Sequence, residues 1–506
     1  MDACCHGAGS LCRSSLLPAS GIFSMFLCLL LTLDWAQSHC NKQAMPPVMA
    51  NWPFLVIWNI PTEKCSTHRG VDLHLNDFNI VTNQNEVFMG GNITIFYIEQ
   101  LGQYPYYDKG HPVHGGCPQN TSLTGHINKM KVDVQKYLPS KFYKGLAVID
   151  WEEWRPQWVR NWGNKTIYRE KSEELVRAKY PPWPPARVLK QAQWEFDSAA
   201  NKFISRTLSV GEMMRPQALW GYYLFPDCYN YHYNSNFSHY DGRCPDIEIE
   251  RNNQLQWLWS HSKALYPSIY MEEILKSSEQ GRRFVRARVQ EAMRVSLITD
   301  STYALPVFVY SRSHYAYTFK PMTQGDLIYS IGESAALGAS GVILWGSIEF
   351  SRTTANCQHV KDYVKRILGP YVVNVTVAAQ ICSQYLCSKH GRCYRKYPEQ
   401  NTYLHLSKRS FQIVTRTDRS TFRVYTKGKL SLWDKYQLKA QFVCQCYKGW
   451  NGKYCSQSKA RNWKTFGSDT GSAWTTVWKY RGSGCRRRPL HPSKSVLQDE
   501  EEQMFQ

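Results

Sequence analysis

Acidic residues are scarce in this chain. Its 506 residues carry 40 Asp and Glu against 61 Lys and Arg, a formal net charge of +21. Such a balance attracts polyanions: nucleic acid, anionic membranes or acidic polysaccharides. Several catalytic motifs are missing as well. There is no His-Glu-x-x-His, no phosphate-binding P-loop and no Gly-x-Ser-x-Gly. Zinc-protease, nucleotide and serine-hydrolase readings therefore have no support, and neither a metal nor a cofactor is expected. The apolar run at 22–33 falls short of the about 20 residues that cross a bilayer. No hydrophobic tail of the kind a lipid-anchor signal needs closes the sequence, so no stable membrane anchor is expected.

What is present points to export. Arg13 precedes the apolar run, and Ala36-Gln37-Ser38 offers a small-x-small cleavage site, so residues 1–38 read as a secretory signal. Five sequons follow, at Asn92, Asn120, Asn164, Asn236 and Asn374, the pattern of a glycosylated secretory protein. The chain has 17 cysteines, which fits an oxidising compartment. Cys4, Cys5, Cys12 and Cys28 lie within the signal; the 13 that remain are odd in number, so at least one is free or pairs with another molecule. In that setting nucleic acid is excluded as a partner, and an extracellular or lysosomal anionic glycan takes its place. Aromatic residues, 14% of the chain with 18 Trp and 32 Tyr, offer the flat faces on which sugars stack.

Nearly continuous apolar runs recur at 54–60, 93–98, 146–149, 219–225, 264–270, 305–310 and 342–345, as suits strands buried on both faces. Helical patterns separate them. Leu189, Ala192, Phe196, Ala199 and Phe203 lay one apolar stripe along a helix. The fold class expected is α/β: a distorted (β/α) barrel of about seven parallel strands over 39–377. Near residue 378 the pattern changes. Cys382-x4-Cys387-x5-Cys393 leads, after a 50-residue insertion, to Cys444-x-Cys446-x8-Cys455, which resembles an EGF-like module over 378–456. Its implied bridges are Cys382–Cys393, Cys387–Cys444 and Cys446–Cys455. Residues 457–506 read as a polar, disordered tail.

Chemistry concentrates in Leu146-Ala-Val-Ile-Asp150-Trp-Glu152-Glu153-Trp154, a buried strand running into carboxylates. Side chains two apart share a face of a strand, so Asp150 and Glu152 project together while Glu153 points away. Carboxyls held close cannot ionise independently, and one tends to keep its proton. That pair can protonate a glycosidic oxygen and stabilise a cationic sugar. Function in parallel barrels sits where strands end, and Asp227 and Trp345 also occupy such ends.

These residues resemble the animal hyaluronidases of sperm, lysosome and venom. The resemblance runs over roughly 50–456. It is carried by Thr94-Ile-Phe-Tyr97, Gly145-Leu-Ala-Val-Ile-Asp-Trp-Glu-Glu-Trp-Arg-Pro156, Trp220-Gly-Tyr-Tyr-Leu-Phe-Pro-Asp-Cys-Tyr-Asn-Tyr231, Ala264-Leu-Tyr-Pro-Ser-Ile-Tyr270 and Gly332-Glu-Ser-Ala-Ala336. It implies hydrolysis of β-1,4 N-acetylhexosaminidic bonds in hyaluronan, and more slowly in chondroitin, by a substrate-assisted retaining mechanism. Glu152 matches the acid/base, its pKa raised by burial beside Asp150. Asp150 matches the residue that orients the acetamido group and shares the proton. Tyr223 and Tyr266 match tyrosines flanking the N-acetyl group. Tyr97, Asp227, Tyr310 and Trp345 match sugar-binding positions. The same resemblance implies the bridges Cys65–Cys357 and Cys228–Cys244, and a monomer. Cys40, Cys117 and Cys485 are left over; Cys117 is either a buried free thiol or a partner of Cys40 or Cys485. Two other readings compete: a hyaluronan-binding adhesion protein with little catalysis, and a chitinase-like barrel. The second lacks the Asp-x-x-Asp-x-Asp-x-Glu run such enzymes carry.

Overall fold

The computed structural model describes residues 42–299, 301–418 and 421–458. The signal segment at 1–38, Cys40, Cys485 and nearly all of the polar tail lie outside the described residues.

Eight parallel strands form the frame. They are β1 (Leu55–Asn59), β2 (Ile80–Val81), β3 (Ile93–Phe96), β4 (Leu146–Ile149), β5 (Leu219–Leu224), β6 (Tyr266–Pro267), β7 (Phe308–Ser311) and β8 (Gly341–Trp345). They make two four-stranded sheets, in the orders β2-β1-β8-β7 and β3-β4-β5-β6. Each of the seven apolar runs coincides with or overlaps a strand; β2 is the eighth, two residues long. Register is regular: Leu55 faces Gly341, Ile93 faces Leu146, and Leu146 faces Leu219. Alternation along each strand divides the apolar side chains into two cores. Leu55, Ile57, Ile93, Ile95, Leu146, Val148, Phe308 and Ile343 meet in one cluster. Their neighbours Val56, Trp58, Phe96, Ala147, Ile149, Val309 and Leu344 join a second, larger one.

The sheets meet at two seams. Parallel bridges between Leu265 and Val307 and between Ser268 and Tyr310 join β6 to β7. At the other seam one side chain replaces a ladder. Asn83, 1% exposed, donates from Nδ2 to the Ile93 and Val87 carbonyls, both at 2.9 Å. Its Oδ1 accepts from the Ile93 and Asn92 amides at 3.1 and 3.0 Å. The chain leaving β2 is thereby tied to the start of β3.

Helix α1 (Pro185–Met214) buries Val188, Ala192, Phe196, Ala200 and Phe203. The stripe is rotated from the expected one: Leu189 is 43% exposed and Ala199 is only half buried. Helix α2 (Glu279–Ile298) packs against β6. Helix α3 (Gly369–Leu386) leads into a small antiparallel pair, β9 (Gly391–Arg395) with β12 (Phe442–Cys446). Between those two strands lie a hairpin, β10 (Phe411–Asp418) and β11 (Thr421–Gly428), and helix α4 (Leu432–Gln441), which opens on a capping box of Ser431 and Asp434. Five disulfides join Cys65–Cys357, Cys228–Cys244, Cys382–Cys393, Cys387–Cys444 and Cys446–Cys455, the pairs implied by resemblance. Cys117 is free and buried, with Tyr107, Tyr168 and Ser172 around its sulfur.

Two features fasten the C-terminal strands to the larger frame. Ala44 bridges to both Ala304 and Tyr447. Glu333, fully buried, accepts from Arg286 Nε at 2.6 Å and from two nitrogens of Arg395. Among the sequons, Asn92, Asn120, Asn164 and Asn236 are exposed. Asn374 is half buried on α3, its Oδ1 accepting from the Leu406 amide at 2.7 Å.

Candidate active site

Four strand ends converge on the carboxylates. β4 delivers Asp150, whose amide still bonds the Phe96 carbonyl of β3 at 2.9 Å, so the residue leaves the sheet in register. Trp151 and Trp154 anchor the next turn on the far side. Both rings stack on Tyr104, at 4.7 and 5.3 Å, and Trp154 Nε1 donates to the Pro105 carbonyl at 2.9 Å. Glu152, between them, is left pointing outward with 49% of its side chain exposed. Arg155 steadies it, with Nη1 on its carbonyl at 3.0 Å and Nη2 3.4 Å from its carboxylate. Lys165 Nζ donates to the same carbonyl at 2.6 Å.

Burial falls on Asp150 rather than Glu152. Desolvation, and then the charge of Glu152, pushes the Asp150 carboxyl up to about 8, with Arg155 opposing. Its Oδ1 is buried without a hydrogen-bond partner. The expected burial of Glu152 is therefore corrected: Asp150 is the deep acid, and the outer one, which Arg155 touches, meets solvent.

Tyrosines and a tryptophan ring the pair. Tyr223, on β5, donates to Ser268 Oγ at 3.4 Å and lies edge-on to Tyr310 at 4.9 Å. Burial, and then the charges of Glu152 and Asp150, keeps its phenol protonated. Tyr97, just past β3, accepts from Trp345 Nε1 at 3.1 Å and feels both carboxylates. Trp345, ending β8, stacks on Tyr270 at 6.0 Å. The Arg312 guanidinium lies 5.6 Å from the Tyr270 ring and 5.1 Å from that of Trp345. Arg312 forms no ion pair with a described carboxylate, and its Nε is buried without a partner.

Three expected residues are elsewhere. Tyr266 is fully buried, and its hydroxyl donates at 2.6 Å to the carbonyl of Leu219, at the opposite end of β5 from the carboxylates. Tyr270, four residues on, approaches Tyr223 at 6.1 Å and senses Asp150; it takes the place assigned to Tyr266. Tyr310 is 0% exposed, so it presents no face to a sugar; the Asp150 charge bears on its unpaired hydroxyl from within. Asp227 is spent on an internal ion cluster. Arg160 holds its Oδ2, while the Cys228 amide at 2.8 Å and Arg288 at 3.5 Å hold its Oδ1. Despite burial, those guanidiniums hold it below the usual carboxylate range. Arg160 also binds Glu248 at 2.6 Å. Asp227 braces the loop behind the site, with both of its carboxylate oxygens engaged by internal partners.

Sequence reasoning missed Tyr270, Ser268 and Arg312. Tyr270 lay in a segment already singled out, and the exact end of β6 decides which of its two tyrosines faces the carboxylates. Arg312 follows Tyr310 by two residues, a period-2 signal that was readable. No group of His, Cys, Asp and Glu among the described residues is placed to hold a metal ion.

A family model described as hyaluronidase, glycoside hydrolase family 56, matches residues 43–459. Hyaluronidase-4 of Cerastes cerastes is 48% identical over 416 residues, covering 82% of this chain and 93% of that protein. Hyaluronidase of Crotalus adamanteus is 48% identical over 421 residues, with coverages of 83% and 94%. Among solved structures, bee venom hyaluronidase superposes with a TM-score of 0.58 at 31% identity, covering 63% of this chain and 99% of that one. The same enzyme in complex with a hyaluronic acid tetramer gives 0.58 at 30%, covering 63% and 98%.

Proposed function

Because the chain belongs to the glycoside hydrolase family 56 hyaluronidases, we propose that it is an endoglycosidase cleaving the β-1,4 N-acetylhexosaminidic bonds of hyaluronan, and more slowly those of chondroitin. The observation that carries this reading is the placing of its two carboxyls at the end of β4: Asp150 buried, where desolvation pushes its pKa up to about 8, beside a Glu152 open to solvent.

The mechanism follows from that pair. Glu152 stands where a leaving oxygen arrives, and the proton retained by the pair passes through it to that oxygen. The substrate's acetamido oxygen attacks the anomeric carbon as the bond breaks, and Asp150 orients the acetamido group. A water then opens the cyclic intermediate, with Glu152 accepting its proton, which restores the pair. Tyr223 and Tyr270 flank the N-acetyl group with undissociated hydroxyls, the form that donates to a carbonyl oxygen. Tyr97 and Trp345 offer ring faces to the sugars. Arg312, a cation with no carboxylate partner among the described residues, faces the uronate carboxylate.

The frame itself reads as a distorted barrel, supported by the two parallel sheets, the bridges between β6 and β7, and the Asn83 seam. Residues 39–377 form the catalytic part and 378–456 an EGF-like module with a long insertion. The five sequons carry glycans, and the protein works as a monomer in the secretory pathway, outside the cell or in lysosomes. Among the described residues no helix is long and apolar enough to cross a membrane.

The deciding experiment is Glu152→Gln. Turnover of hyaluronan, followed by product size, should fall at least about 1000-fold, the scale of losing general acid–base catalysis and more. Binding of the polymer should survive. An active Gln variant overturns the assignment.

A further inference from the structure

We propose that the insertion between Cys393 and Cys444 builds a second glycan site, an accessory groove that holds the anionic polysaccharide away from the catalytic carboxylates. The proposal rests on the reading above that the substrate is an anionic polysaccharide. Nothing in the catalytic chemistry uses this insertion, yet it is ordered into a hairpin and a capped helix.

The groove lies between the segment preceding β10 and helix α4. Its volume is about 540 Å³, and Tyr403, Lys408, Arg409, Trp433 and Gln437 line it. That volume falls in the range, about 300–1,000 Å³, that takes a small ligand such as one or two sugar rings. Trp433 is 60% exposed and stacks on Tyr436, itself 61% exposed, at 5.5 Å. Two large exposed rings are costly to leave bare, and Trp433, the one of the pair that lines the groove, is suited to the flat apolar face of a pyranose. Lys408 and Arg409 are both exposed, and neither forms an ion pair with a described carboxylate. The one acid in the groove wall, Asp434, is turned inward, its carboxylate accepting from the Ser431 amide at 2.9 Å and hydroxyl at 2.7 Å. Above an apolar floor that includes Ile381 and Phe411, the lip is thus positive and aromatic, with no free carboxylate among its described lining residues. The charge favours a sugar polymer bearing carboxylates over a neutral one.

A groove on the same chain as the active site raises the local concentration of a long polymer and does nothing for a short one. The test combines Trp433→Ala, Lys408→Ala and Arg409→Ala in the full chain, with thermal unfolding as the check on folding. KM for high-mass hyaluronan should rise on the order of tenfold, while kcat/KM for a hyaluronan hexasaccharide stays unchanged. In parallel, a hyaluronan decasaccharide is titrated into Glu152→Gln with and without the triple change; the expected stoichiometry is two sites and one site. Unchanged KM on polymer, or equal losses on both substrates, overturns the groove, as does a stoichiometry the triple change leaves alone. If the parent cleaves neither substrate, the proposed activity has failed, and the titration still decides whether the groove binds glycan.

Discussion

Asp150 has lost most of its water; Glu152 has kept its own. The sequence placed both on one face of a strand, and period-2 alternation was enough for that. It could not say which one is sunk, because depth depends on Trp151 and Trp154 turning behind Tyr104. The consequence is measurable. The folded pKa of Asp150, about 8, lies above its ordinary 3.8. Below the lower value both folded and unfolded chains hold the proton. Between the two values only the folded chain holds it, so stability falls as pH rises and levels off above about 8. Asp150→Asn cannot titrate. Its unfolding free energy relative to the parent should climb from about pH 4 to about pH 8, at up to about 1.4 kcal/mol per unit, as read by denaturant unfolding. A flat difference would mean that Asp150 is already ionised in the fold. The tyrosines allow a second comparison. Tyr270→Phe should lower kcat/KM for hyaluronan by about ten- to a hundredfold. Tyr266→Phe should leave kcat/KM nearly alone and destabilise by about 1 kcal/mol, because the Leu219 carbonyl loses one donor.

Among the elements, strands buried on both faces announce themselves as unbroken apolar runs, and so seven were legible. β2 was not, since two residues carry no periodicity. Asn83 after it reads as an ordinary loop residue until its four hydrogen bonds are seen. Helix α1 was legible as a helix but not in its rotation. Apolar residues lie on both sides of its inner face, and the partner it packs against chooses Val188 over Leu189. The seam yields a prediction. Asn83→Ala takes a partner from the buried amide and carbonyl of Ile93 and frees the partly buried amide of Asn92, and should cost about 2–4 kcal/mol. Thermal unfolding checks it; a loss below about 0.5 kcal/mol, the scale of an ordinary surface substitution, would mean that water or a shifted loop takes over.

Over the whole molecule, cysteine spacing marked the disulfide-linked C-terminal strands but not how they are fastened. Arg395 and Glu333 are 62 residues apart, and Arg286 and Glu333 are 47. No local pattern links such residues, and only Glu333 fell in a stretch that drew notice. Removing Glu333 leaves the buried Arg395 guanidinium without a described anion and Arg286 with only the exposed Glu399, at 4.0 Å. Glu333→Ala should therefore cost about 3–5 kcal/mol and expose the region around Tyr394 to limited proteolysis before the main unfolding transition. Cleavage confined to the globally unfolded state would show that the module and the frame melt as one regardless.

Cys117 carries a practical consequence. It is a reduced thiol at 0% exposure, and burial pushes its pKa upward, so an alkylating reagent reaches it only when the structure around Tyr107 and Tyr168 opens. The rate at which the peptide bearing this sulfur acquires a label, followed by mass spectrometry, is an intrinsic clock for breathing of the molecule, read without adding any probe.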